Sequence, residues 1–363
     1  MDIVKEVVRV IKSILPNRRP LEHHEPFIDI YQVKEAILDA VDHGITGYTS
    51  IVHFENYIKD ITKADYVVLT SSGSSALELA LKALAIQPGS NVLIPTSTFV
   101  ATANSVKHAG SFPVFLDGIM IDPIKLRSIL KGNKLDISAV IVVHLFGLPA
   151  DMDGICRVAK EFNIKVIEDA SQALGSYIDD KACGTFGDAG ILSFNNNKII
   201  TTNGGGALLS NDSELAYRAH RLATTARVPH KWLIGHDEIA HNYRMGNINA
   251  ALGCSQIQNF PRILAEKRAL AVRYRHNLDQ LVEFVESPVK SEPNYWLNTI
   301  LVECRDDLLN ALHNESIRAR AVFTPLHKLS MYEHYIRSDE VMYEADELFR
   351  KGVCLPSGSG LSR

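Results

Sequence analysis

Between Ile164 and Ser210 the chain sets out a pair of acids, a hydroxyl and a lone amine at short intervals. An apolar run ends in the adjacent carboxylates Glu168 and Asp169, a costly way to finish a buried strand unless a partner is present. A second apolar run, Gly190 to Phe194, contains Ser193 and gives way to the polar stretch that carries Lys198. Gly204, Gly205 and Gly206 then lead into another apolar run. A carboxylate, a hydroxyl and an amine near strand ends are the parts needed to hold pyridoxal 5'-phosphate (PLP). The amine forms an imine with the aldehyde, and the carboxylate keeps the pyridine nitrogen protonated so that the ring accepts electrons. Each residue also has a plainer reading: Lys198 as a solvated surface charge, Asp169 as a helix cap, Ser193 as an ordinary strand-end hydroxyl.

The elements that must position these groups alternate between strand and helix patterns. Tyr66 to Leu69 reads as a strand, followed by SSGSS (Ser71 to Ser75) and the strongly helical ALELALKAL. That order makes an anion site, because first-turn N–H groups and the helix dipole face the turn; serine N-capping is the alternative. The spacing is not that of a Walker A loop or a dinucleotide fingerprint. Asn91 to Ile94 is a strand, and PTSTF (Pro95 to Phe99) is a loop opening a helix from Val100 to His108. Further strands are expected at Pro113 to Leu116, ending at Asp117, at Ala139 to His144, and at Lys165 to Ile167. Helices are expected around Leu126 to Leu130 and up to Phe162. Near-continuous apolar strands alternating with helices indicate an α/β fold with a mainly parallel sheet covered on both faces. Ligands in such sheets sit at the carboxyl ends of the strands. Ser74, Phe99, Asp169 and Ser193 all fall at or just after strand ends and therefore share one rim, although Phe99 also suits a core position.

On either side of this block the pattern changes. Ile3, Val7, Val8, Ile11 and Ile14 fall at helical spacing, an amphipathic helix for packing on the body or on a partner subunit. Lys5, Glu6, Arg9 and Lys12 interrupt it, unlike a signal peptide. Further helices are expected at Val33 to Asp42 and around Phe54 to Ile61. Beyond Ser210 come a helix from Ser213 to Leu222 and a basic loop from Arg227 to Trp232. A largely helical region runs from Asn242 to about Leu278, with Pro261 as a kink or break. A domain boundary is placed there, giving residues 1–256 as an N-terminal arm with a large domain and 257–363 as a small α/β domain. The small domain has a strand-like stretch from Asn294 to Val302, a helix from Asp306 to Glu315, and VFTPLH (Val322 to His327).

Composition narrows the function. The chain of 363 residues is 46% hydrophobic and 22% charged, which suits a soluble globular protein of two domains. A formal net charge of −4 offers no general attraction for nucleic acid or an anionic membrane. Five scattered cysteines, never in a CxxC pair, favour a reducing compartment over a disulfide framework or zinc ribbon, and no metal site is expected. No apolar run reaches the length of a bilayer span, so the expected location is the cytoplasm.

The motifs together resemble a known family, the DegT-like nucleotide-sugar aminotransferases, PLP enzymes of fold type I. The resemblance runs from about Pro20 to about Pro356. It is carried by SGSSAL (Ser72 to Leu77), IPTSTFVATAN (Ile94 to Asn104), HLFGLPADM (His144 to Met152) and EDASQALG (Glu168 to Gly175). SFNNNK (Ser193 to Lys198), NYRMGNINAA (Asn242 to Ala251) and TPLH (Thr324 to His327) complete it. The resemblance implies that Lys198 forms the imine and moves protons at the substrate carbon. It also implies that Asp169 pairs with the pyridine nitrogen, Gln172 reaches the ring hydroxyl and Phe99 lies against the ring face. Ser74, Ser75 and Ser193 would bind the phosphate. Asn242 would reach the cofactor phosphate of the other subunit in a shared-site homodimer, and His327 and the Arg227 to Trp232 loop would lie near the substrate.

HEPFI (His24 to Ile28), GNINAALGCSQ and NYWLN (Asn294 to Asn298) are similar to enzymes that aminate 4-keto-6-deoxy nucleotide sugars toward legionaminic acid or N-acetylbacillosamine. L-glutamate is the implied amino donor, and bacterial surface glycans are the implied destination. Two departures stand out: the connection between Asp117 and Ile121 looks short, and the chain stops at SGSGLSR where relatives run on into a last helix. Alternative readings on the same fold are a PLP- or PMP-dependent sugar dehydratase, whose relatives carry histidine at the position of Lys198, and a non-catalytic sugar-binding protein.

Overall fold

The computed structural model describes residues 3–361 except 17–20, 25, 43, 45–46, 133–134 and 340. Pro20, where the resemblance begins, Glu25 of HEPFI, and the final Ser362 and Arg363 therefore lie outside the described residues. The larger sheet is built from β1 (Tyr66–Thr70), β2 (Asn91–Pro95), β3 (Phe112–Leu116), β4 (Ile137–Val143) and β5 (Lys165–Asp169). A short hairpin, β6 (Tyr177–Ile178) and β7 (Lys181–Ala182), precedes its last two strands, β8 (Ala189–Ser193) and β9 (Gly206–Ser210). The order across the sheet is β1-β9-β8-β5-β4-β2-β3. β9 is antiparallel to both neighbours, and the pairs among β3, β2, β4, β5 and β8 are parallel. The mainly parallel α/β sheet expected from the apolar runs is the one found.

The first eight helices are α1 (Ile3–Ile14), α2 (Ile30–Asp42), α3 (Thr49–Thr62), α4 (Gly73–Ala83), α5 (Ala101–His108), α6 (Pro123–Lys131), α7 (Met152–Phe162) and α8 (Ser213–Ala223), of which α3 to α8 pack about this sheet. Their starts are chemically marked. Asp122, Asp151 and Asp212 accept first-turn amides of α6, α7 and α8. α4 begins with a reciprocal box in which the Ser75 amide donates to Ser72 Oγ and the Ser72 amide donates to Ser75 Oγ, both at 3.0 Å. α1 buries Val7, Val10, Ile11 and Ile14. Its buried stripe therefore takes Val10 in place of the exposed Ile3, and it packs on the body through Leu270, Tyr274 and Leu312.

After a hairpin, β10 (Arg227–Val228) and β11 (Gly235–His236), helix α9 runs from Asn247 to Leu278. Two expectations are corrected here. Asn242 to Gly246 is extended rather than helical, and Pro261 neither ends nor divides α9, which continues through it. Ala250 and Ile263 join the core cluster around β1 and β9, whereas Leu270 and Leu278 join the cluster around α1. Burial on both sides holds the helix through a position where one backbone hydrogen bond is lost. A second sheet of β12 (Glu283–Phe284), β13 (Asn298–Leu301), β14 (Arg320–Ala321) and β15 (Gly352–Leu355) has the order β12-β13-β15-β14, flanked by α10 (Arg305–Asn314) and α11 (Tyr343–Lys351). The strand expected over Asn294 to Val302 is shorter, because residues 294–297 form a loop whose backbone and side chains bond elsewhere. The short connection after β3 has a use: both Asp117 oxygens accept the amides of Glu344 and Ala345 at the start of α11.

Glu168, fully buried near the end of β5, is met by four donors. His144 Nε2 lies 3.0 Å away, and the amides of Gly184, Phe186 and Gly187 donate at 2.8, 2.6 and 2.7 Å. Ala150 N–H donates to His144 Nδ1, so the ring carries its proton on Nε2 and donates it to the carboxylate. Glu168→Gln turns two amide protons toward these donors, and destabilisation of about 2–4 kcal/mol is expected in chemical denaturation. An unchanged midpoint would contradict this account of Glu168.

Candidate active site

The site forms where the start of α4, the end of β5 and the loop after β8 converge. Glycine permits the convergence at two points. A Cβ on Gly206 would lie 2.5 Å from Ser72 C and 2.6 Å from Gly73 N, and a Cβ on Gly73 would lie 2.9 Å from Ser193 Cβ. Backbone therefore packs directly on backbone, and the free first-turn amides of α4 come beside Ser193.

A cavity of ≈ 300 Å³ opens at this junction. Ser74, Phe99 and Asp169 line it, together with Gln172, Ser193 and Lys198. Four of these, Ser74, Phe99, Asp169 and Ser193, are the residues expected at one rim from the strand ends; Gln172 and Lys198 join them. Phe99 is 53% exposed, so it is a wall of the cavity and not a core residue. Asp169 is buried. Its Oδ2 accepts from Thr102 Oγ1 at 2.9 Å and its Oδ1 from the Ser171 amide at 3.2 Å, which fixes the carboxylate with lone pairs to spare. Gln172 Oε1 accepts the Phe146 amide at 2.6 Å, and its NH2 makes no hydrogen bond among the described residues.

Lys198 is half-buried, and among the described residues its amine makes no hydrogen bond or ion pair, whereas its backbone N–H donates to Asn195 O at 3.0 Å. Burial pushes its amine down to about 8, and the Asp169 carboxylate acts in the opposite direction. Roughly a tenth of such amines are neutral at pH 7, far more than at the ordinary lysine value. An uncommitted amine facing a fixed carboxylate across a small cavity suits imine formation with an aldehyde.

Ser75 and His327 lie outside this cavity, and Asn242, which the resemblance assigns to the other subunit's cofactor, does not line it either. Ser75 does not line the cavity, because its hydroxyl is spent on the α4 cap and donates to Ser72 O at 2.8 Å. His327 is buried between Thr96 Oγ1 (2.8 Å) and Asp346 Oδ1 (3.1 Å), where it ties the TPLH segment to the end of β2. Asn242 is exposed on the outer surface, where its Oδ1 accepts from Arg244 Nε at 3.3 Å. The basic loop forms the β10–β11 hairpin, with Trp232 and Ile234 largely exposed.

Among the wall residues to which sequence reasoning assigned no role are Trp296 and Phe323. Both come from the C-terminal part of the chain. Trp296 lies in NYWLN, which the residue pattern reads as the start of a strand and the resemblance ties to the substrate class.

The DegT/DnrJ/EryC1/StrS aminotransferase family matches residues 30–363. The chain belongs to it. It is 35% identical over 323 residues to EpsN of Bacillus subtilis (strain 168), described as a pyridoxal phosphate-dependent aminotransferase, covering 85% of this chain and 83% of that one. It is 35% identical over 323 residues to GDP-perosamine synthase of Escherichia coli O157:H7, covering 86% of each. Among solved structures, a DegT DnrJ EryC1 StrS aminotransferase from Brucella abortus superposes with a TM-score of 0.86 at 28% identity, covering 92% of this chain and 91% of that one. As a DegT/DnrJ/EryC1/StrS enzyme the chain is a transaminase that works with PLP. The cavity fits the cofactor on its own chemistry: a free amine, an anchored carboxylate, and a glycine-lined turn whose amides suit a phosphate.

Asp169→Asn removes the charge that counters the effect of burial on Lys198. In the protein freed of cofactor, competitive acetylation read on the Lys198 peptide should place the amine midpoint below about 8. A midpoint that stayed or rose would show that the two groups do not share the cavity electrically.

Proposed function

We propose that this transaminase moves an amino group from L-glutamate to the ketone of a 4-keto-6-deoxy nucleotide sugar, as a cytoplasmic homodimer supplying bacterial surface glycans. The observation that carries the reading is the uncommitted Lys198 amine in the cavity that Asp169 also lines. PLP, when bound, supplies an electron sink for the carbon that loses its proton. Asp169 holds the charge of the ring nitrogen, and the Gln172 NH2 donates to the ring hydroxyl. The α4 amides take the phosphate with the Ser74 and Ser193 hydroxyls, while Ser75 keeps that turn in shape. Phe99 gives the ring an apolar wall. Lys198 Nζ, neutral often enough at working pH to act as a base, takes the proton from the donor's Cα and returns it at the sugar carbon that gains the amine.

HEPFI, GNINAALGCSQ and NYWLN support the 4-keto-6-deoxy class, by their likeness to enzymes of the legionaminic acid and N-acetylbacillosamine pathways. The exposed Asn242 and the protruding β10–β11 hairpin support a second copy, since neither serves the cavity of its own chain. Five free cysteines support a reducing compartment. Among the described residues no helix is long and apolar enough to cross a membrane. We also propose a functional division within α9 near residue 256, between the arm with the large domain and the small domain.

Incubation of the PLP-loaded protein with glutamate and a panel of keto-nucleotide sugars should produce an amino sugar, read as a mass change, with 4-keto-6-deoxy members preferred. Absence of product across the panel would remove the substrate assignment. Lys198→Ala should retain cofactor without the absorbance of a lysine-linked imine, and turnover should fall by at least about a thousandfold. Persistence of that absorbance would point to a different lysine.

A further inference from the structure

The Lys198 amine rests on an aromatic face. Its Nζ sits 4.2 Å from the centroid of the Trp296 ring, well inside the range in which a ring quadrupole attracts a cation. Trp296 is only 3% exposed and is pinned at three atoms. Its amide donates to Asn294 Oδ1 at 2.7 Å, its carbonyl accepts from Lys267 Nζ at 3.1 Å, and its indole N–H donates to Asn197 O at 2.7 Å. The last bond ties the indole to the residue immediately before Lys198. Asn294, fully buried, donates to the carbonyls of Gln172 and Leu174 at 2.9 Å each. One short segment, 294–297, thus joins the loop of Asp169 and Gln172 to the loop of Lys198.

We propose that Trp296 is a positioning residue that holds the amine of Lys198 by its indole face whenever that amine is released from the cofactor. The inference rests on the transaminase reading, in which the amine must detach and later reattach at the same carbon. A freed amine on a flexible four-carbon stem otherwise has many rotamers open to it, and a fixed aromatic face narrows them. The indole also selects the protonated form, so it acts with Asp169 from β5 and against burial.

The groups around the amine allow this. Asp169 is the charged group that supports the ammonium. His24 from the N-terminal segment lies tilted against Trp296, the ring centroids 6.0 Å apart and the planes at 45°. Burial, with Lys267, His23 and Lys198 nearby, holds the His24 pKa well below the usual range, so the imidazole is neutral and does not compete for the ring. Lys267 from α9 spends its amine on the carbonyls of Trp296 and Ser357. Lys198 is the one cation placed over this indole among the described residues.

The chain has two tryptophans, so a Trp232→Phe background leaves position 296 as the sole site for analogue incorporation. Indoles bearing progressively more fluorine keep their shape while the negative charge of the ring face declines. In cofactor-free protein, competitive acetylation with acetic anhydride gives the Lys198 amine midpoint from its tryptic peptide, with Lys198→Arg as the blank. The midpoint is expected to fall stepwise through the series, by about one pH unit between unsubstituted and tetrafluorinated indole. A midpoint unmoved across the series overturns the proposal. If cofactor fails to bind but the midpoint still tracks fluorination, the transaminase reading falls and the indole contact stands. If cofactor binds and the midpoint is unmoved, the reverse holds.

Discussion

Two adjacent carboxylates at the end of a buried strand impose the constraint on which this structure depends. Successive side chains of a strand leave on opposite faces, so Glu168 and Asp169 cannot share donors. Glu168 is consumed by architecture: His144 and the amides of the 183–187 turn surround it, and the connection from β5 to β8 is folded onto it. Asp169 is only partly satisfied, by Thr102 and the Ser171 amide, and keeps acceptor capacity facing the cavity. One acid is saturated with hydrogen bonds for stability while its neighbour keeps lone pairs open to the cavity.

The rest of the site follows from bringing other strand ends to that carboxylate. Parallel strands β2, β4, β5 and β8 deliver their carboxyl ends to one edge, and α4 starts there because β1 and β9 flank the same edge. Gly73 and Gly206 remove the Cβ atoms that would hold α4 away. The lysine loop then descends between α4 and the Trp296 segment. A half-buried amine with no ion partner is unfavourable by itself. Asp169 through space and the indole by direct contact offset part of that cost, and what remains appears as a depressed pKa, the property a catalytic base needs.

Much of this was legible from residue order, because a parallel sheet converts strand ends into neighbours. Ser74, Phe99, Asp169, Ser193 and Lys198 lie at or after strand ends, and they meet in one cavity with Gln172, which the resemblance supplied. Placement was harder wherever local chemistry competes with long-range packing. The serines of SSGSS look alike in sequence, yet Ser72 and Ser75 close the cap while Ser74 faces the cavity. Pro261 reads as a kink or break, and core packing on both sides carries α9 through it without a break. NYWLN alternates like a strand, yet Asn294 turns its amide toward carbonyls 120 and 122 residues away, which no local pattern encodes. His327 sits in a family motif and finds its partners in Thr96 and Asp346, away from the cavity.

The central claim is that Lys198, across the cavity from Asp169, is the amine that carries the cofactor. Borohydride reduction of the PLP-loaded protein converts any lysine-linked cofactor into a stable secondary amine, and peptide mass spectrometry then locates it. The account predicts the pyridoxyl mass on Lys198 alone. Its appearance on Lys267, the other amine depressed by burial, or on any surface lysine in place of Lys198, would contradict it.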